Sequence, residues 1–107
     1  MQAMTSGQWK VTSFIAGGSD STSGFTPYKF QFKNDYTVDA IKNGTIEKTG
    51  TWTGDANSQT IYSNFDNATS PLNLLNGTWT ITKNSWTYVE AKQTVNGVLY
   101  TLRLDKA

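Results

Sequence analysis

The chain has 107 residues with a formal net charge of +1, and it contains neither cysteine nor histidine. This length is typical of one domain that folds without disulfides, and the missing residue types exclude thiolate metal sites, histidine general bases and the commonest metal ligand. Because the charges are scattered and no apolar run reaches about 18 residues, the sequence also argues against nucleic-acid binding and against a transmembrane segment.

Residues 1–6 have neither the basic nor the apolar region of a signal peptide. We expect them to form a disordered tail or a segment added in cloning, in place of a natural leader. Residues 7–107 are expected to form a single domain. The abundance of Thr, Ser, Asn and Gly opposes helix and favours short strands joined by tight turns.

The first strand is predicted over residues 7–15, where Trp9, Ser13 and Ile15 belong to one alternating face that we expect to point inward. Residues 16–27 follow as the longest polar loop of the chain. Loops of this length in a compact domain are usually functional or mobile. The sequence therefore marks this loop as a candidate cover for a binding site.

The clearest alternation in the chain lies in residues 28–33, where aromatic side chains alternate with polar and cationic ones. The Asn43-Gly44 pair is the strongest hairpin signal, because both residues tolerate the positive φ of a type I′ turn. The remaining strands are predicted over 36–42, 45–53, 59–65, 77–83, 86–92 and 98–104.

One short helical turn is predicted near 70–76, because Pro71 follows a helix-capping serine. Leu72 and Leu75 of this turn would close one end of the fold. The eight predicted strands, joined mainly by short turns, indicate an all-β protein: an eight-stranded antiparallel up-and-down barrel. A β-sandwich is the alternative, but it normally needs longer connections between its sheets.

Three Gly-x-Trp units occur in these strands: Gly7-Gln8-Trp9, Gly50-Thr51-Trp52 and Gly77-Thr78-Trp79. The first unit resembles the N-terminal signature of the lipocalins and the wider calycin group. The whole domain is similar to small secreted lipocalin-like proteins of bacterial cell envelopes, in an order of hydrophobic and turn residues that runs Trp9-x-Val11-Thr12-x-Phe14, Tyr28-x-Phe30-x-Phe32, Val38-x-Ala40, Gly50-Thr51-Trp52, Pro71-Leu72-x-x-Leu75-Asn76-x-x-Trp79 and Leu102-x-Leu104-x-Lys106.

The resemblance implies a lipocalin-like barrel in a secreted or periplasmic protein of the cell envelope, such as a lipoprotein whose leader has been removed. It implies no settled activity. Classical lipocalins also pack a late arginine on the first-strand tryptophan. Arg103 is the only arginine of this chain, and its alternation with Leu102 and Leu104 directs it outward.

The aromatic residues of the predicted strands allow two interpretations. They could line a cup for a small apolar ligand, or they could fill the barrel, since an eight-stranded barrel is just wide enough for either. Solid packing is favoured because the rings are dense and the strands are short. The candidate lining residues are Trp9, Tyr28, Phe30, Phe32, Trp52, Trp79, Tyr88 and Tyr100.

Catalysis is not predicted. Asp39 and Glu47 flank the Asn43-Gly44 turn and could face each other across one hairpin as an acid–base pair, but the alternative that both point to solvent is favoured. No Asp-x-Asp-x-Asp run is present to bind a metal. The sequence therefore predicts no enzyme, no metal and no cofactor.

Two surface functions are also considered. Threonine rows such as Thr49, Thr51 and Thr53 invite an ice-binding interpretation, but a closed barrel is twisted and the rows do not repeat. Carbohydrate binding would need exposed aromatic rings. The residues least firmly assigned to the interior are Tyr36, Tyr62 and Trp86.

The sequence thus predicts a non-enzymatic lipocalin-like domain that binds a small apolar ligand at the barrel end covered by residues 16–27. The alternative is a filled barrel of the cell envelope that serves as a structural or protein-interaction domain without a small-molecule ligand. Neither hypothesis names a protein partner.

Overall fold

The computed structural model of the chain describes residues 2–107, with the side chains from residue 4 onward. Three single turns of 3-10 helix occur among them, Gln2–Thr5, Thr22–Phe25 and Leu72–Leu75, and none of these is long and apolar enough to cross a membrane. The strands are β1 (Trp9–Ala16), β2 (Ser19–Asp20), β3 (Tyr28–Phe32), β4 (Thr37–Lys42), β5 (Thr45–Asp55), β6 (Thr60–Asn64), β7 (Gly77–Asn84), β8 (Tyr88–Val95) and β9 (Val98–Lys106).

The strands form one antiparallel sheet that closes on itself. From β3 onward each strand pairs with the next in the chain, and β1 pairs with both β3 and β9. The two-residue β2 pairs only with β1 and is not one of the eight strands of the barrel. The predicted eight-stranded up-and-down barrel is therefore confirmed, and so is the predicted helical turn, which spans Leu72–Leu75.

The contact between β1 and β3 is the short seam of the barrel, because it contains a single residue pair, Trp9 with Phe30. Toward the C-terminal end of β1, the loop that follows β1 pairs with this strand in place of β3. The Phe14 amide donates to the Thr22 hydroxyl at 2.8 Å, and the Ser21 amide donates to the Phe14 carbonyl at 2.8 Å. Residues 16–27, predicted as a polar loop, thus help to close the sheet.

A β-bulge in β1 reverses the facing predicted for its second half. The register against β9 shifts between Val11 and Ser13, so that Ser13 lies opposite Arg103. Phe14 is fully buried, whereas Ile15 is 37% exposed. The predicted inward positions of Ser13 and Ile15 are wrong, because one extra residue in a strand exchanges its two faces from that point onward.

The three tryptophans of the Gly-x-Trp units are core residues with satisfied indole groups. Trp9, Trp52 and Trp79 are buried. A buried indole N–H needs a partner, and each of these donates to a main-chain carbonyl. The acceptors are Met4 at 3.0 Å, Lys33 at 2.9 Å and Leu75 at 2.9 Å, respectively.

The N-terminal residues predicted to be a disordered tail contribute to the core. Gln2–Thr5 form a 3-10 turn whose Met4 side chain is buried, while Met1 lies outside the described residues. At the same end of the barrel the Lys106 ammonium lies 5.0 Å from the centre of the Trp9 ring. The cation that packs on the first-strand tryptophan is therefore Lys106, and not the arginine found at this place in classical lipocalins.

We expect the Trp9→Ala variant to lose about 3–5 kcal/mol of unfolding free energy, because it removes a fully buried ring and leaves a cavity. The matched control is Trp86→Ala. Trp86 is 64% exposed, so its truncation should change stability by no more than about 0.5 kcal/mol. Denaturant unfolding followed by circular dichroism measures both. Equal stabilities for the two variants would contradict a barrel closed around Trp9.

Candidate functional site

The barrel interior is the candidate site, and it is almost full. The free space inside it amounts to about 30 Å³. Among the side chains from residue 4 onward, Ser63 is the only polar one that borders this cavity, and its hydroxyl donates to the Leu75 carbonyl. The other bordering residues are apolar: Met4, Phe30, Phe32, Val38, Ile61, Phe65, Leu75, Trp79, Val89, Ala91, Leu102 and Leu104.

Aromatic side chains fill the end of the barrel that residues 16–27 cover. Phe25, from the 3-10 turn within that segment, is buried, and its ring centre lies 5.2 Å from that of Phe14 and 6.5 Å from that of Phe30. Phe65 packs against Phe30 at 6.3 Å. Phe25 therefore occupies the place where the sequence predicted a ligand.

The structure brings most of the predicted lining residues together. Phe30, Phe32 and Trp79 border the cavity. Tyr88 and Tyr100 are only half-buried, and Tyr88 packs beneath the Arg103 guanidinium at 4.5 Å on the outer face. The lining candidates that are buried in the core are Trp9, Tyr28, Phe30, Phe32, Trp52 and Trp79.

Phe14, Met4 and Phe25 are buried near the interior, although none of them was predicted to lie there. Strict alternation along the first strand, without the bulge, places Phe14 on the outer face. Met4 was missed because it lies before the first predicted strand. Phe25 could have been found, since it is a large apolar residue within an otherwise polar loop, followed closely by a proline. Such an isolated ring often marks a segment that docks into a core.

Tyr28 lies at the rim of the barrel and its hydroxyl donates to the Glu47 carboxylate. Burial and the adjacent Glu47 raise the pKa of Tyr28 to about 12. Lys42 lies 3.9 Å from the same carboxylate and 5.7 Å from the centre of the Tyr28 ring. The Tyr28 hydroxyl therefore stays protonated at neutral pH, and its bond to Glu47 stabilises the rim of the barrel without preparing a proton transfer.

Asp39 does not face Glu47, so the acid–base pair considered from the sequence does not form. Its side chain is 5% exposed on the outer face of the sheet, where Lys33 lies 2.9 Å away and the Thr49 hydroxyl donates at 2.8 Å. Burial raises the pKa of Asp39, but these two bonds outweigh burial and hold the pKa below its usual range. Asp39 is thus neither solvated nor poised to accept a proton.

A second charged group covers the outer face of β8 and β9. Arg103 donates to Glu90 at 2.8 Å and to Asp105 at 2.9 Å, and Asp105 also accepts from Thr12. The bond from Arg103 lowers the pKa of the Asp105 carboxyl. Within residues 2–107, no three acidic residues are grouped to hold a metal ion.

Comparison with known proteins supports the fold. No family model matches the sequence, and no curated protein matches it significantly. A solved structure of a DUF4847 family protein from Bacteroides vulgatus ATCC 8482 is similar in fold, with a TM-score of 0.69 and 16% sequence identity. The alignment covers 99% of this chain and 96% of that one. The two proteins share a barrel over nearly their whole length, and at this identity the likeness concerns the fold alone.

The Asp39→Asn variant should lose about 1–3 kcal/mol of stability at pH 7, because the amide makes weaker bonds to Lys33 and Thr49 than the carboxylate does. The pKa of Asp39 in the folded protein lies below the 3.8 of the unfolded chain. The stabilisation from Asp39 is therefore fully present above pH 3.8, and it is lost as the pH falls through the folded pKa. The stability difference between wild type and variant should therefore shrink on acidification, as measured by urea unfolding at several pH values.

Lys33→Met should change the acid dependence in the same direction as Asp39→Asn, because it removes the cation that faces the carboxylate. Lys29→Met is the matched control, since Lys29 is exposed on β3, the strand that Lys33 directly follows. A difference between wild type and Asp39→Asn that stays constant from pH 7 to pH 3 would contradict this account of the ion pair.

Proposed function

We propose that this chain is a non-enzymatic binding domain whose barrel is filled by its own side chains and which recognises its partner with its outer surface. The observation that carries the proposal is the small volume of the interior cavity, about 30 Å³. Sites for small organic ligands usually occupy about 300–1,000 Å³. The interior therefore has room for little more than ordered water, and an apolar lining gives water few partners.

Both ends of the barrel support a filled interior. Phe25 and Leu72 are buried at the end that residues 16–27 cover, and Met4 is buried at the other end. A small apolar ligand at the covered end would have to displace Phe25 from its contacts with Phe14 and Phe30. For this reason we favour the filled barrel over the ligand-binding cup.

The arrangement of the charged groups supports a role without catalysis. The carboxylates of Asp39 and Glu47, the pair that the sequence singled out, are engaged by Lys33 and by Tyr28 respectively. A general base needs a proton affinity near the working pH and a free approach to its substrate. The pKa of Asp39 is held below its usual range by Lys33 and Thr49, and the Glu47 carboxylate is occupied by the Tyr28 hydroxyl.

The resemblance to small secreted lipocalin-like proteins supports a place in the secreted, periplasmic or cell-envelope compartment. We carry this localisation forward as part of the proposal. Fractionation of cells that produce the natural protein from its own gene tests it directly, and accumulation in the cytoplasmic fraction would contradict it.

The filled interior is tested by adding benzene, and separately a long-chain fatty acid, to the protein while the fluorescence of its buried tryptophans is followed. We expect no saturable change in wild type. Leu75→Ala is the positive control, because it adds the volume of a leucine side chain to the cavity that Leu75 borders, and dry apolar cavities of about 150 Å³ bind benzene. Stoichiometric binding of either probe to wild type would overturn the filled barrel.

A further inference from the structure

The outer face of β5, β6 and β7 has few charges in the stretch of chain between Lys48 and Lys83. Residues 49–82 contain only two charged side chains, Asp55 and Asp66. Asp55 ends β5, and Asp66 follows the end of β6. The outward positions between them are neutral and polar, which leaves an uncharged surface three strands wide.

The strand register places the hydroxyl groups of this surface around one aromatic ring. Thr53 pairs with Tyr62, and Tyr62 pairs with Thr78, so that these three side chains lie side by side. Thr51 and Thr80 extend the surface along β5 and β7, and all five side chains are exposed. We call these five residues, Thr51, Thr53, Tyr62, Thr78 and Thr80, the hydroxyl face.

The hydroxyls of this face have unused hydrogen-bonding capacity. Elsewhere on the surface, the hydroxyls of Thr12, Thr37 and Thr49 each donate to a neighbouring aspartate. In the part of the chain that the structure describes, the five hydroxyls of the hydroxyl face make no such intramolecular bond. Each is therefore available both to donate to a partner and to accept from one.

The shape of the face also limits the occupant. Neighbouring strands lie about 4.8 Å apart, so three strands present a surface about 10 Å wide, without walls that would enclose a small molecule. Tyr62 is 42% exposed near the middle of this surface. An open surface of this kind suits an extended chain that crosses the strands, with the ring as its central contact.

The chemistry excludes other classes of partner. A nucleic acid requires several cations that neutralise its phosphates. None of the five residues of the hydroxyl face is charged, and Lys92, which pairs with Thr80, is a single cation at its border. Protein interfaces concentrate aromatic residues, methionine and arginine at their centres, whereas a single ring stands here among threonines. An ice-binding array must be flat and regular, but Tyr62 separates the threonines of β5 from those of β7.

We propose that the hydroxyl face binds a neutral polysaccharide. The Tyr62 ring would stack against the C–H face of a sugar unit, and the threonine hydroxyls would exchange hydrogen bonds with sugar hydroxyls, so that an uncharged polar surface meets an uncharged polar polymer. This inference rests on the proposed function, because it names the partner of a domain that acts through its outer surface.

Affinity electrophoresis tests the inference. The protein is run in native gels that contain dextran, yeast mannan or mixed-linkage β-glucan, with acidic alginate as the charged comparison. We expect at least one neutral polymer to retard wild type, with little dependence on salt. Tyr62→Ala should weaken this binding at least tenfold while circular dichroism shows a folded protein, and Tyr62→Phe should retain most of it.

The matched controls are Tyr36→Ala and Trp86→Ala, which remove other exposed rings at 61% and 64% exposure and should leave the retardation unchanged. No retardation by any of the neutral polymers would overturn the inference, as would retardation that Tyr62→Ala does not change or that follows Tyr36 or Trp86. Ice growth inhibition without polysaccharide binding would also overturn it. These outcomes leave the benzene test unaffected, so the inference can fail while the filled barrel stands.

Discussion

Closure of the barrel depends on Trp9. Its backbone pairs with Phe30 on one side and with Lys106 on the other, so the first strand meets both of its neighbours at this residue. Its indole donates to Met4, and Lys106 also covers its ring. Closure leaves no free sheet edge along the barrel, and it forces the inward side chains of eight strands into a narrow space.

A narrow barrel rich in aromatic residues has little room for a guest. Phe14, Phe25 and Phe30 pack against one another at one end, and Met4 lies at the other. The polar groups that must be buried with the aromatic residues bond to the main chain, as Ser63 does to the Leu75 carbonyl. Interior positions in this protein therefore serve stability, which is why we propose that recognition is left to the outer surface.

Two groups of paired charges lie on the outer surface. Lys33 and Asp39 pair at the end of β3 and on β4, and Arg103 pairs with its two carboxylates on β8 and β9. Between these groups, the outward residues that pair with Tyr62, Thr53 and Thr78, are neutral. The hydroxyl groups of these residues suit the neutral polar partner that we propose.

The sequence by itself determined the class of fold and most of the core, because alternation, Asn-Gly turns and three buried tryptophans are local signals that agree with one another. Only the tertiary structure decided the facing of Phe14 and Ile15, since a single extra residue at the bulge exchanges the faces of a strand and leaves no mark in the alternation. It also decided that Asp39 pairs with Lys33, because cross-strand register is a property of the assembled sheet. The tertiary structure also decided that the barrel is filled. Phe25 occupies the predicted ligand site only because the segment between β1 and β3 folds inward over the seam.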